Sequence, residues 1–287
     1  MKIVWAFDPF QKNKNLNLLG KELIEKLFDP QRDSINAAYI ASKAEAELTT
    51  AFNVTEEERY TTYPQKIIDE QLKNLNLDYI KTEVIASPKI SLSAIIKDFV
   101  RFNTDHNTDL LVIASNSKTL LPRLIFGSFC ETLIHSAECD LLVYHQETKV
   151  NLESTKKILY AHDFTDKGDA GLKRVIEYAK NWNAHLVIVH IPMFLSDMSY
   201  DIFKEMTEKR AQEVSGFVKE YNIPFEVVVN YDVKPIDEII LDVAAKKDAD
   251  FIAVTASSNK LTALLGGSTT RQILRESKLP TLVLKIK

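Results

Sequence analysis

Glycine is scarce in this chain, with seven residues among 287. Loops that cradle phosphate normally depend on it, so any such loop here has few positions from which to be built. Cysteine is scarcer still. Cys130 and Cys139 fall in or beside one predicted helix, form no disulfide framework and lack zinc-ligand spacing. Two reduced thiols in a cytosolic protein are expected. Long apolar runs are also missing, since no stretch approaches the ~18–20 residues that a membrane helix requires. The opening apolar run meets Asp8 after about five residues, too short for the core of a signal peptide. The formal net charge of −4 gives no general attraction to nucleic acid or to an anionic membrane. Neither is expected as a partner, and the expected location is the cytoplasm. There is no Gly-x-Ser-x-Gly elbow, which counts against an α/β-hydrolase. There is no Walker A loop either, because no glycine opening a helix is followed by Lys-Ser or Lys-Thr.

What is present is one pattern written twice. Residues 112–145 and 254–285 both run apolar strand, polar loop, Gly-Ser, helix, short gap, apolar strand. The pairs Gly127-Ser128 and Gly267-Ser268 stand 140 residues apart, about half the chain. The fronts match too: Lys2-Ile3-Val4-Trp5-Ala6-Phe7-Asp8 is repeated as Lys157-Ile158-Leu159-Tyr160-Ala161-His162-Asp163. A repeat of this period indicates two similar domains in tandem, taken as residues 1–148 and 155–287, with a polar linker over 146–156. The first copy is longer between its Asp and its Gly, and the extra material is expected in residues 42–64.

Periodicity supplies the elements. Leu16, Leu19, Leu23, Ile24 and Leu27 recur as one face of a helix, as do Leu92, Ile95, Ile96, Phe99 and Val100. Leu110 to Ala114 is a continuous apolar run, as in a buried parallel strand. In the second half, strands at 157–163, 185–191, 225–231, 251–256 and 281–285 alternate with helices at 167–182, 200–221, 235–247 and 268–276. Such alternation implies βαβ units and a parallel sheet covered on both faces. Along 200–221, Phe203, Met206, Ala211, Val214 and Phe217-Val218 read as a core stripe.

Asp8 and Asp163 each close a strand. In an open α/β sheet that edge is where ligands bind, and a carboxylate there suits a ribose or base. It equally suits a helix N-cap. Gly127-Ser128 and Gly266-Gly267-Ser268-Thr269 open helices, where free N–H groups and the helix dipole favour phosphate; simple capping is the alternative. The second copy offers two glycines and two hydroxyls. His162, His185 and His190 lie near strand ends without ligand-spaced carboxylates or thiols, and a structural role is expected for them.

With these residues in view, the chain resembles the universal stress protein family in its tandem two-domain form. Asp163-Phe164-Thr165 matches the family's strand end of Asp, apolar residue, Ser or Thr, whereas Asp8-Pro9-Phe10 keeps only the Asp. Val187-Ile188-Val189-His190-Ile191 resembles the family's second strand. The family's nucleotide motif is Gly, two residues, Gly, nine residues, Gly, then Ser or Thr. In the first domain Ala114, Ser117, Gly127 and Ser128 keep the spacing but replace both early glycines. In the second, Ala256 and Asn259 stand at the early positions, and the loop to Gly267 is about two residues short. Each replacement adds a Cβ where backbone would meet phosphate, although Asn tolerates left-handed φ.

The resemblance implies two flavodoxin/Rossmann-like domains of the adenine nucleotide alpha hydrolase type, each a five-stranded parallel sheet in the order 3-2-1-4-5. It implies pairing through the last strands, as a pseudo-dimer of the two domains or as a homodimer. It implies ATP or another adenine nucleotide as the ligand of the second domain and no other cofactor. The expected site comprises Asp163, Phe164, Thr165, Val189, Ala256, Asn259, Gly266, Gly267, Ser268 and Thr269. Asp8, Ala114, Ser117, Gly127 and Ser128 form its degenerate counterpart. The function this implies is a stress response acting through binding rather than turnover. The alternative is a nucleotide-dependent hydrolase or adenylyl-transferring enzyme on the same fold.

Overall fold

The computed structural model describes residues 1–11, 13–42, 61–115, 128–150, 156–193, 199–257 and 268–286. The chain divides into two compact units, Met1–Thr148 and Lys149–Lys287. In the first, the described elements run β1 (Lys2–Ala6), α1 (Lys14–Leu27), β2 (Ser34–Ser42), α2 (Tyr63–Asn74), β3 (Lys81–Ser87), α3 (Leu92–Asp105), β4 (Leu110–Ser115), α4 (Ser128–Ser136) and β5 (Asp140–His145). In the second they run β6 (Lys157–Ala161), α5 (Asp166–Trp182), β7 (His185–His190), α6 (Tyr200–Lys219), β8 (Phe225–Val229), α7 (Ile236–Lys246), β9 (Phe251–Ser257), α8 (Ser268–Glu276) and β10 (Thr281–Ile286).

Each unit is the expected α/β fold with a five-stranded parallel sheet. The strand order is β3-β2-β1-β4-β5 in one unit and β8-β7-β6-β9-β10 in the other. Both orders reverse direction beside the first strand, between β1 and β4 and between β6 and β9. At such a switch point the crossovers leave on opposite faces and open a crevice at the carboxyl edge. The registers Trp5↔Val112 and Tyr160↔Ala253 fix which residues reach that crevice.

Helix placement follows from apolar spacing and from small residues. α1 begins where the Asn13 side chain accepts the Asn15 N–H, and it buries Leu16, Gly20, Leu23, Ile24 and Leu27. A Cβ at Gly20 would stand 2.5 Å from both the Trp5 ring and the Tyr144 hydroxyl, so this helix lies against the sheet only as glycine. α5 begins at Thr165, whose hydroxyl accepts the Gly168 N–H, and it ends at Asn183 in the left-handed conformation. Its Trp182 packs on Phe251 with ring centroids 5.4 Å apart, deep in the second core.

Two readings need correction. In α6 the buried positions are Thr207, Val214 and Val218, whereas Met206 is 58% exposed. The inward stripe passes one residue after Met206, through Thr207, whose hydroxyl donates to the Phe203 carbonyl at 2.8 Å. Binding its hydroxyl to its own helix lets a threonine occupy a core position. The alternation over Tyr79 to Ala86 predicts a strand there, but β3 begins at Lys81, and Tyr79 is 52% exposed. The extra material expected in 42–64 falls mostly outside the described residues.

Candidate functional site

β6 ends at Ala161, and the chain turns sharply into α5 through His162, Asp163, Phe164 and Thr165. Phe164 has φ 58°, unusual for a residue with a side chain. Three contacts impose it. The Phe164 N–H donates to His162 Nδ1 at 2.8 Å. Asp163 Oδ1 accepts from the Thr165 N–H at 3.1 Å and from its hydroxyl at 2.7 Å. The Phe164 ring stacks on His190. Asp163 is therefore not the N-cap; Thr165 is, and Asp163 braces it while remaining exposed at the sheet edge. In the first unit Asp8 is not a cap either. Its Oδ1 accepts the Phe10 N–H at 2.9 Å, and Asn13 caps α1.

The histidines behind this turn are buried and tied to backbone. His190 Nδ1 donates to the His162 carbonyl at 2.7 Å. Because His162 Nδ1 accepts, its proton resides on Nε2, which points toward Asp169 Oδ1 at 3.2 Å but out of line for a hydrogen bond. Asp169 in turn pairs with Arg210 from α6. Burial pushes the His162 pKa down to about 4, against the opposing pull of Asp169 and Asp163. Burial also lowers that of His190. Both rings are thus held neutral, as hydrogen-bonding parts of the turn. Tyr160 completes the arrangement by donating to the Gly168 carbonyl at 2.7 Å, and desolvation raises its pKa. Among the described residues there is no group of three or more His, Cys, Asp or Glu able to hold a metal.

Asp163 lies in the turn just after β6 and Ala256 near the end of β9, the two strands being paired through Tyr160↔Ala253. Val189 pairs with Ala161 one strand away, its side chain buried and its carbonyl accepting the His162 N–H at 2.8 Å. Ser268 and Thr269 begin α8, and Thr269 is half-buried. Asn259, Gly266 and Gly267 lie outside the described residues. In the first unit Ala114 lies near the end of β4 and Ser128 begins α4, while Ser117 and Gly127 lie outside the described residues.

Sequence reasoning missed the Phe164–His190 stack and the His162–Asp169–Arg210 chain. Arg210 is 41 positions from Asp169, and no local pattern announces such a pairing. It also missed a cavity of about 310 Å³ in the first unit, at the carboxyl edge beside Asp8 and Ala114. Cys130 contributes to its wall, with a thiol that burial pushes up to about 12. Neither cysteine forms a disulfide.

Each unit is a doubly wound parallel sheet with an Asp just past the end of its first strand, beside the switch point. The family is specific: the Universal stress protein family model matches residues 29–145 and 154–285, and the chain belongs to that family. No curated protein matches the chain. Among solved structures, a universal stress protein from Archaeoglobus fulgidus is 17% identical, with 99% of this chain and 98% of that chain covered and a TM-score of 0.68. A putative universal stress protein from Pseudomonas aeruginosa is 15% identical, with 99% and 92% covered and a TM-score of 0.63. At these identities the likeness is one of fold. Among the described residues, no helix is long and apolar enough to cross a membrane.

Proposed function

We propose that the protein serves a cytoplasmic stress response by binding an adenine nucleotide in its second unit, without turning it over. The single observation that carries this reading is Asp163. Its carboxylate stands exposed just past the end of β6, beside the switch point with β9, on a turn held in shape by His162, Thr165 and His190. A carboxylate fixed at a switch point suits the hydroxyl pair of a ribose. The described residues fit such a ligand. Asp163 would take the ribose, Ala256 adds only a methyl group at the end of β9, and the backbone N–H groups of Ser268 and Thr269 at the start of α8, with the Thr269 hydroxyl, would take the phosphates. Asn259, Gly266 and Gly267 would complete the phosphate side.

Binding without turnover is favoured because the polar groups near Asp163 are already engaged. His162 and His190 are neutral and hydrogen-bonded within the turn, so neither is poised as a general base. The first unit, with Ala114 and Ser117 at the early motif positions, is the degenerate partner in this reading. The tandem repeat fits a pseudo-dimer, and within each unit the fifth strand is outermost, an edge that needs covering.

Asp163→Asn tests the reading because it keeps the acceptor for Thr165 and removes the charge. ATP affinity should fall about tenfold, as expected when a charged hydrogen bond becomes neutral, with thermal stability nearly unchanged. Unaltered affinity, or sustained ATP hydrolysis by the parent protein, would overturn it.

A further inference from the structure

The turn that carries Asp163 depends on a residue from another helix. His162 stands at its base with a fully buried side chain. Its Nδ1 accepts the Phe164 N–H at 2.8 Å, a bond that only a ring without a proton on Nδ1 can make. A protonated ring carries hydrogens on both nitrogens, so the Phe164 N–H would lose its acceptor. Phe164 keeps φ 58° only while its neighbours impose it. Asp169 works against this bond. Its Oδ1 lies 3.2 Å from His162 Nε2, and a carboxylate at that distance favours the imidazolium. Arg210 from α6 answers it. The guanidinium pairs with the other oxygen of Asp169, and its Nη1 reaches Glu213 at 3.1 Å.

Among the described residues, the charged and titratable groups acting on His162 are Asp169 from α5, Asp163 from its own turn, His190 from β7 and Arg210 from α6, with the Tyr160 ring of β6 at 5.6 Å. Burial is the main force against protonation. The two carboxylates oppose it, while His190 and Arg210 act with it. The packing leaves little slack: a Cβ at Gly168 would press on the Asp163 carboxylate and stand 2.8 Å from His162 Nδ1. The first unit lacks the titrating ring, because Phe7 stands in the repeat where His162 stands in the second.

We propose that Arg210 is a positioning residue for the Asp163 turn: by engaging the Asp169 carboxylate it keeps His162 Nδ1 an acceptor for Phe164, and so ties the shape of a ligand-facing turn to α6. This deepens the nucleotide reading of the same edge and rests on it only in calling the turn ligand-facing. No ligand is needed to test it. A parent chain that binds no ATP would sink the nucleotide reading and leave the role of Arg210 to be decided separately.

The full chain, labelled in its histidine rings and backbone amides, is titrated by NMR from neutral pH down through the acid range, with His162→Asn identifying the ring. In Arg210→Gln the His162 midpoint should rise by about one pH unit, as expected beside an unopposed carboxylate. Arg210→Lys, which keeps the charge, should move it less. Arg210→Gln combined with Asp169→Asn should bring it back to the parental value or lower. The Phe164 amide should lose its exchange protection along the same titration. Arg210→Met repeats the measurement should the glutamine variant unfold. An unmoved midpoint without Arg210, a rise that persists once Asp169 is also replaced, or a Phe164 amide indifferent to the His162 titration would each overturn the proposal.

Discussion

The Phe164 ring lies flat on the His190 ring, centroids 3.6 Å apart and planes 12° from parallel. This stack ties the end of β7 to the turn that carries Asp163. Phe164 adopts φ 58° to make it, a conformation that costs a residue with a Cβ roughly 1–2 kcal/mol.

That conflict gives an inverted substitution order. Phe164→Ala loses the stack and keeps the unfavourable φ, whereas Phe164→Gly loses the stack and relieves it. The glycine variant should be the more stable of the two by about 1 kcal/mol, the reverse of the usual helix or strand ranking. Both should be less stable than the parent. Chemical denaturation of the three proteins checks the order, and an alanine variant equal to or better than glycine would contradict the turn geometry.

His162 and His190 make the second unit sensitive to acid. The unfolded chain takes up these protons near the ordinary histidine value of 6.5, while folded His162 resists until about 4. Between those values the unfolded state holds more protons, so stability falls as pH falls. The contribution is complete above about 6.5 and lost toward 4, at most ~3 kcal/mol for His162. His190 acts in the same direction. His162→Asn retains an acceptor for the Phe164 N–H and does not titrate, so its denaturation midpoint should vary less between pH 6.5 and 4. An unchanged acid slope would contradict the buried neutral imidazole.

Two glycines in helices should respond with opposite signs. At Gly171 a Cβ would stand 2.2 Å from Thr255 Cγ2 and 2.3 Å from the Tyr160 hydroxyl. Gly171→Ala should destabilise by about 1–3 kcal/mol through overpacking, outweighing the gain in helix propensity. Gly216 in α6 has nothing within 4 Å, so Gly216→Ala should stabilise by about 0.5–1 kcal/mol. Thermal melts of the pair separate the two, and equal shifts would refute the close α5 packing.

In the first unit, Tyr144→Phe removes the acceptor of the buried Trp5 N–H. Leaving that donor unsatisfied should cost about 1–3 kcal/mol. Trp5 fluorescence in a Trp182→Phe background reports the unfolding, and a neutral effect would contradict the bond.

Much of the architecture was legible because it is written in periodicity and repetition. The continuous apolar runs gave β4 and β9, and the doubled Asp and Gly-Ser marks gave the tandem units. Strand order needed the family resemblance, since period-two and period-3.6 patterns carry no neighbour information. Met206 was misplaced because an apolar residue one position off a stripe looks the same in sequence as one on it. At the candidate site, Asp163 stood out from the repeated strand end and Thr165 from the family resemblance. The roles of His162, Asp169 and Arg210 were not, because burial and pairing across helices decide them. The unit-one cavity was invisible for the same reason: its aromatic walls come from Phe7 just after β1 and from β2, β5, α3 and α4, far apart in the chain.

The central claim, that nucleotide binding belongs to the second unit, is tested most directly by calorimetry of ATP binding to the parent chain and to Gly267→Val and Gly127→Val. A valine at either position adds bulk to the residue just before a helix start, where phosphate would meet backbone N–H groups. The account predicts saturable binding by the parent, loss in Gly267→Val and undiminished affinity in Gly127→Val. No binding by the parent, equal loss in both variants, or loss in Gly127→Val alone would contradict it.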